Sequence, residues 1–223
     1  MSLYPINLNI SGQLCVVIGG GAVATRKISS LLACEARVRV VSPQLSTGIR
    51  YLIETDRIRW IQRTYKTGDL QGAILAFALT DDPEVQSQIT VEAKESGIPI
   101  NIGDNPEAST FHTAATIRRG DLLISISTGG GSPALAGALR QELEQHYGPE
   151  YSELVKLLGE VRKIHQGQSS PQKHHKVLVE KILQTDILAL LRNKDWQELQ
   201  VLLCEILPQN MDANDIVQKV RGY

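Results

Sequence analysis

The chain has 223 residues, a net charge of −1, and is 42% hydrophobic and 21% charged. That balance suits a folded protein with a substantial core and, lacking a basic excess, speaks against a nucleic-acid binder. No apolar run approaches the ~20 residues of a membrane span, and Met1–Gly12 has no charged stretch leading into an apolar one, as a secretory leader would. The expectation is therefore a cytoplasmic protein that engages neither nucleic acid nor membrane. Cys15, Cys34 and Cys204 are odd in number, far apart and in apolar segments, which reads as buried, reduced thiols rather than a disulfide framework or zinc site.

In chain order, Gln13–Ile18 is a short apolar run that ends in Gly19-Gly20-Gly21, and a helical stretch follows from Ala22 to about Cys34. Arg37–Val41 is β-branched and strand-like, 44–55 is helical, and Arg57–Gln62 alternates as a strand does. Ala73–Leu79 has the length and apolarity of a buried strand. Asp82 before Pro83 marks a helix start and Gly97 its stop, with Ile98–Ile102 as the next strand. Strands alternating with helices predict an α/β fold, a Rossmann-like doubly wound parallel sheet over residues 1–112. From 113 to 147 the pattern is a hairpin, Thr113–Ile117 and Leu122–Ser127, then a helix opened by Ser132-Pro133. A hairpin with one helix is a poor core alone, so this segment is expected to pack on a twofold-related copy. Residues 148–223 read as helical, with Gln166–His175 a polar loop.

Gly19-Gly20-Gly21-Ala22-Val23-Ala24 fits G-x-G-x-x-A at the first strand-to-helix turn. Gly19 permits a tight turn, Gly21 lets backbone approach a pyrophosphate, and Ala24 lets the helix sit close to the sheet; the phosphates would meet free amides and the helix dipole. The acidic residue that usually holds a ribose about 20 positions on is replaced by Ser42, which leaves NAD and NADP both open. Arg26 and Lys27 read as solvated charges. Thr128-Gly129-Gly130-Gly131-Ser132 is a second glycine turn before a helix, either a plain N-cap by Ser132 or an anion site. Asp104, directly after the fifth strand, is placed to take a proton beside a nicotinamide, or simply to build a turn. His112 could also handle a proton, whereas His165, His174 and His175 read as solvated, and no His, Cys or carboxylate cluster stands at metal-ligand spacing.

Four stretches together resemble the precorrin-2 dehydrogenase family, which includes the dehydrogenase/chelatase module of siroheme synthase. They are Val16–Gly21 with Val23-Ala24 and Arg26-Lys27; Ala78–Asp82; Asn101–Asp104 with Pro106 and Ser109–Phe111; and Ile126–Ala136. The resemblance covers about residues 5 to 145. It implies NAD as cofactor, held by Gly19–Ala24 with Ser42, Pro43 and Thr80 around it, and a many-carboxylate tetrapyrrole, precorrin-2, as the small-molecule substrate. It further implies Asp104 as the essential aspartate, and Thr128, Gly129, Gly130, Ser132 and His112 as substrate contacts. Residues 113–147 become a dimerisation segment of a homodimer. Some relatives also insert metal into sirohydrochlorin, an activity left open here. Ala22 and His112-Thr113-Ala114-Ala115 depart from the family's usual pattern. The rival reading is a module that senses NAD without catalysis.

Overall fold

The computed structural model describes residues 3–53, 57–103, 105–166 and 172–222. They form two compact units, Met1–Thr113 and Ala114–Tyr223.

In the first unit, β1 (Leu14–Ile18), β2 (Arg37–Val41), β3 (Ile58–Ile61), β4 (Leu75–Ala78) and β5 (Ile100–Ile102) make one parallel sheet in the order β3-β2-β1-β4-β5. The helices α1 (Ala22–Ala33), α2 (Thr47–Leu52) and α3 (Pro83–Glu95) connect the strands. The central strands are apolar at every position because both faces are covered. Alternation through the sheet sends Cys15 and Val17 to one core with Ile28, Leu31 and Ile49, and Val16 and Ile18 to the other with Ile89 and Ala93. The Asp82 carboxylate caps α3 by accepting from the Glu84 and Val85 amides. Glu92 is buried yet satisfied: its carboxylate accepts from the Gly68 and Leu70 amides and the Tyr65 hydroxyl. The expected helix over 44–55 is shorter, Thr47–Leu52, and its last expected positions lie outside the described residues.

The second unit opens with the antiparallel hairpin β6 (Ala115–Arg119) and β7 (Leu122–Ile126), turned at Gly120-Asp121 with Gly120 at φ +56°. Next come α4 (Pro133–His146), α5 (Glu150–Gln166), α6 (Gln172–Leu183), α7 (Ile187–Asn193), α8 (Trp196–Ile206) and α9 (Ala213–Arg221). Leu157, Val161, Ile182, Leu191, Leu199, Leu203 and Ile216 fill a helical core. Burial would raise the Glu150 carboxyl, but two hydrogen bonds from Arg192, at 2.6 and 3.1 Å, hold it below the usual carboxylate range. The pair ties α7 to the start of α5.

Two expectations fail in this unit. The 166–175 loop is shorter, because α6 begins at Gln172; residues 167–171 lie outside the described ones. His165 is not solvated: it is 8% exposed, with its ring centroid 5.5 Å from that of His175. The reason is helical register. His165 continues the buried stripe Leu154, Leu157, Val161, and His175 shares a face with Leu178 and Ile182. His165 Nε2 and His175 Nδ1 are buried without hydrogen-bond partners among the described residues. Burial, then the neighbouring His165 and Arg162, hold His175 below the ordinary imidazole value. The fold thus favours the neutral ring, so stability is complete above the unfolded histidine value of about 6.5 and is lost as pH falls below it. Lowering the pH from about 7.5 to about 5.5 should reduce the melting temperature, and His175→Gln should reduce that loss. An equal loss in the variant would clear the pair of responsibility.

Candidate functional site

In this strand order the chain leaves β1 for one side of the sheet and β4 for the other, so the carboxyl end of β1 is the switch point where open α/β sheets take ligands. Gly19 stands there at φ +121°, and a Cβ on it would lie 2.3 Å from the Leu79 carbonyl oxygen. A Cβ on Gly20 would lie 2.0 Å from the Gln44 carbonyl oxygen. A Cβ on Gly21 would meet nothing within 4 Å. The first two glycines are therefore demanded by the protein itself, whereas at Gly21 the space is open. Ala24, 1% exposed, packs α1 against the sheet.

Amide accounting gives the loop its chemistry. The Gly19 amide donates to Val41 O at 3.0 Å, and Thr25 N donates to Gly21 O. Between them the amides of Gly20, Gly21, Ala22, Val23 and Ala24 have no acceptor among the described residues, and no side chain caps α1. A row of bare N–H groups at the positive end of a helix, over open space, fits a pyrophosphate.

The β2–α2 corner is fastened to this loop. Ser46 N donates to Gly20 O at 2.8 Å, and the hydroxyls of Ser46 and Thr25 lie 2.8 Å apart. Ser42, 7% exposed, gives its hydroxyl to Gln44 O at 2.6 Å, its carbonyl accepts from the Trp60 indole, and Pro43 beside it is exposed. Ser46 and Thr25 went unnoticed in the sequence; the available signal was Ser46 three residues before Ile49, whose amide it caps. Thr80 follows β4 on the same edge of the sheet, with its Oγ1 accepting from Asp82 N at 3.3 Å and its carbonyl from Gln86 Nε2 at 2.7 Å.

Asp104 lies outside the described residues. Its neighbours are fixed: Gly103 N donates to Ala78 O at 3.0 Å, and Asn105 N to Ile102 O. Ser109 and Thr110 run back along β5, where their hydroxyls accept from the Ile102 and Ile100 amides at 2.9 and 2.7 Å. Phe111 then meets Phe77 edge-on at 5.4 Å. His112 is half-buried, and because Pro106 O can only accept, its Nε2 carries the proton in their 3.1 Å bond. Lys27 corrects an expectation. It is half-buried, with Nζ 6.0 Å from the Phe77 ring centroid and bonded to Thr113 Oγ1; burial, then Arg26, hold its ammonium below the usual lysine value. Arg26 is exposed, as expected.

In the second unit, the Thr128–Ser132 turn closes largely on itself. Gly129 N donates to Ser127 Oγ, Gly131 N to Thr128 O, Ser132 N to Thr128 Oγ1, and Leu135 N to the capping Ser132 Oγ. Gly129 and Gly130 both adopt positive φ, +63° and +87°. The Gly130 and Ala134 amides remain without an acceptor among the described residues.

A parallel sheet of this order, with bare amides at its switch point, defines a dinucleotide-binding protein of the Rossmann class. Residues 6–115 match the putative NAD(P)-binding family and 119–146 the sirohaem biosynthesis protein central family. The siroheme synthase of Nitrosomonas eutropha is 32% identical over 217 residues, 97% of this chain and 46% of the relative. That of Pseudomonas aeruginosa is 35% identical over 162 residues, 73% and 35% respectively. The chain thus spans about half the length, or less, of these curated relatives. The solved structure of SirC, precorrin-2 dehydrogenase, shares its fold with a TM-score of 0.72 at 22% identity, covering 99% of this chain and 100% of that one. The chain thus carries the two family segments in order and is similar to siroheme synthase over most of its own length.

The glycines separate fold from ligand. Gly19→Ala, which combines a strained φ with a backbone collision, should destabilise the first unit by ~1–3 kcal/mol or more. Gly21→Ala should leave thermal melting unchanged and weaken NADH binding at least about tenfold, since its methyl meets only the ligand. Tight NADH binding by Gly21→Ala would show that the pyrophosphate does not lie there.

Proposed function

We propose that the chain is an NAD-dependent dehydrogenase that oxidises precorrin-2 to sirohydrochlorin, working as a cytoplasmic homodimer. The observation that carries this reading is the row of unanswered amides from Gly20 to Ala24 at the switch point, in a chain that carries these two family segments. NAD, when bound, supplies the hydride acceptor. Gly20–Ala24 hold the pyrophosphate, and Ser42, Pro43 and Thr80 border the nucleotide. Asp104, following β5 at the carboxyl edge of the sheet, takes the proton that must leave the macrocycle as the hydride departs. His112 in the first unit, its proton committed to Pro106 O, has an Nδ1 without a partner among the described residues that can accept from a substrate group. In the second unit Thr128, Gly129, Gly130 and Ser132 form a carboxylate contact, with the Gly130 and Ala134 amides as donors.

The dimer reading rests on incomplete burial. Of the hairpin only Ile117 is buried and of α4 only Ala136, while Leu135 and Leu139 are 51% and 36% exposed. Three free cysteines suit the reducing cytoplasm, although, against expectation, only Cys15 is buried, with Cys34 half-buried and Cys204 exposed.

Supplying precorrin-2 with NAD should raise absorbance at the NADH band. Asp104→Ala should retain melting temperature and NAD affinity while turnover falls by at least about a hundredfold, the scale of a lost general base. Unimpaired NADH production by this variant would remove Asp104 from the mechanism, and none by the native protein, despite NAD binding, would favour a nucleotide sensor.

A further inference from the structure

We infer that Lys27 is a positioning residue for His112: by holding Thr113 it fixes the imidazole that meets the substrate. The inference rests on the substrate-contact reading of His112 in the preceding subsection. His112 is half-buried in a segment that returns along β5, and its two flanks are fastened to different elements. On the near side the ties run to the sheet. Thr110 Oγ1 accepts from the Ile100 amide at 2.7 Å, and Phe111 O accepts from Asn101 Nδ2 at 3.1 Å. The Phe111 ring meets Phe77 of β4 edge-on. On the far side the tie runs to α1, where Lys27 Nζ donates to the hydroxyl of Thr113. The ring between them gives its Nε2 proton to Pro106 O at 3.1 Å, which leaves Nδ1 as its acceptor face.

Packing alone does not ask for a lysine at this position. Nζ lies 6.0 Å from the Phe77 ring centroid, and burial, then Arg26, hold the ammonium below its usual value. The fold therefore disfavours the charge that it shelters. A methionine would cover the same phenyl ring without that penalty. What methionine lacks is the proton given to Thr113. The helix that carries Lys27 is also the one whose first amides stand free for a pyrophosphate. One element thus bears the cofactor at its start and braces the substrate contact a turn further on.

Lys27→Met and Thr113→Val in the full chain each remove the tie, the second at an exposed position. Each should raise the KM for precorrin-2 about three- to tenfold, the worth of one neutral hydrogen bond. The KM for NAD and the melting temperature should stay as in the native chain. Lys27→Arg keeps a donor and Thr113→Ser an acceptor, so both should retain the native KM. In a His112→Ala background Lys27→Met should add nothing, because both act through one imidazole. An unchanged KM in either single variant, or an undiminished rise in that background, overturns the inference. Carbethoxylation of His112, followed by mass spectrometry, needs no substrate. It should run faster in Lys27→Met and Thr113→Val than in the native chain, and an equal rate overturns the brace. A native chain that fails to oxidise precorrin-2 overturns the substrate reading instead, while faster carbethoxylation of the variants still supports the brace.

Discussion

Two backbone carbonyls decide where the first helix begins. Leu79 O, just after β4, presses on one side of Gly19, and Gln44 O, on the β2–α2 corner, presses on Gly20. Neither position has room for a Cβ, and Gly19 also needs a φ that side chains rarely adopt. With the loop gripped from both neighbouring strands, α1 leaves at a set angle and Ala24 meets the sheet. The amides of Gly20 to Ala24 are then directed away from every protein acceptor described. The site is thus the residue of a packing solution: what the fold leaves unsatisfied is what a phosphate can use.

The grip depends in turn on hydroxyls. Ser42 fixes the Gln44 carbonyl, Ser46 donates its amide to Gly20 O, and the Ser46 and Thr25 side chains meet at 2.8 Å. On the far side of the sheet centre, Ser109 and Thr110 answer the amides of edge strand β5 that would otherwise face outward. Both devices place small hydroxyl residues where backbone groups need a partner at short range. Between them they secure the end of β2 and the outer edge of β5.

What could be read in advance followed from how local the signal was. β2 matches the expected Arg37–Val41 because its β-branched Val38, Val40 and Val41 are buried in the sheet, and Asp82-Pro83 announces α3 because a cap is a three-residue event. The glycine loop was legible for the same reason. The corner that grips it was not, since Thr25 and Ser46 are 21 residues apart and a serine advertises no tertiary partner. Within the helical stretch 148–223, α7 has no boundary of its own in the sequence because it is seven residues long, and Ile187 and Leu191 alone make its buried stripe. His165 and Lys27 were misread by composition: each is polar by type, but register puts the first on a buried helix face and a phenyl ring shelters the second.

The two glycine turns show why a motif needs its hydrogen-bond ledger before it is assigned a ligand. Both precede a helix and both are rich in glycine. In Thr128–Ser132 the hydroxyls of Ser127, Thr128 and Ser132 and the Thr128 carbonyl consume the donors of Gly129, Gly131, Ser132 and Leu135, so the turn is mainly a cap. In Gly19–Ala24 no hydroxyl precedes the helix, and the donors run unbroken over five residues. Replacing the capping serine by glycine costs a helix only a few tenths of a kcal/mol, because water serves the exposed amides. It leaves those amides available to a charged acceptor, whose bonds are roughly twice as strong as neutral ones. The absence of a cap at Gly21 is therefore a feature of recognition, and its presence at Ser132 marks that turn as primarily structural.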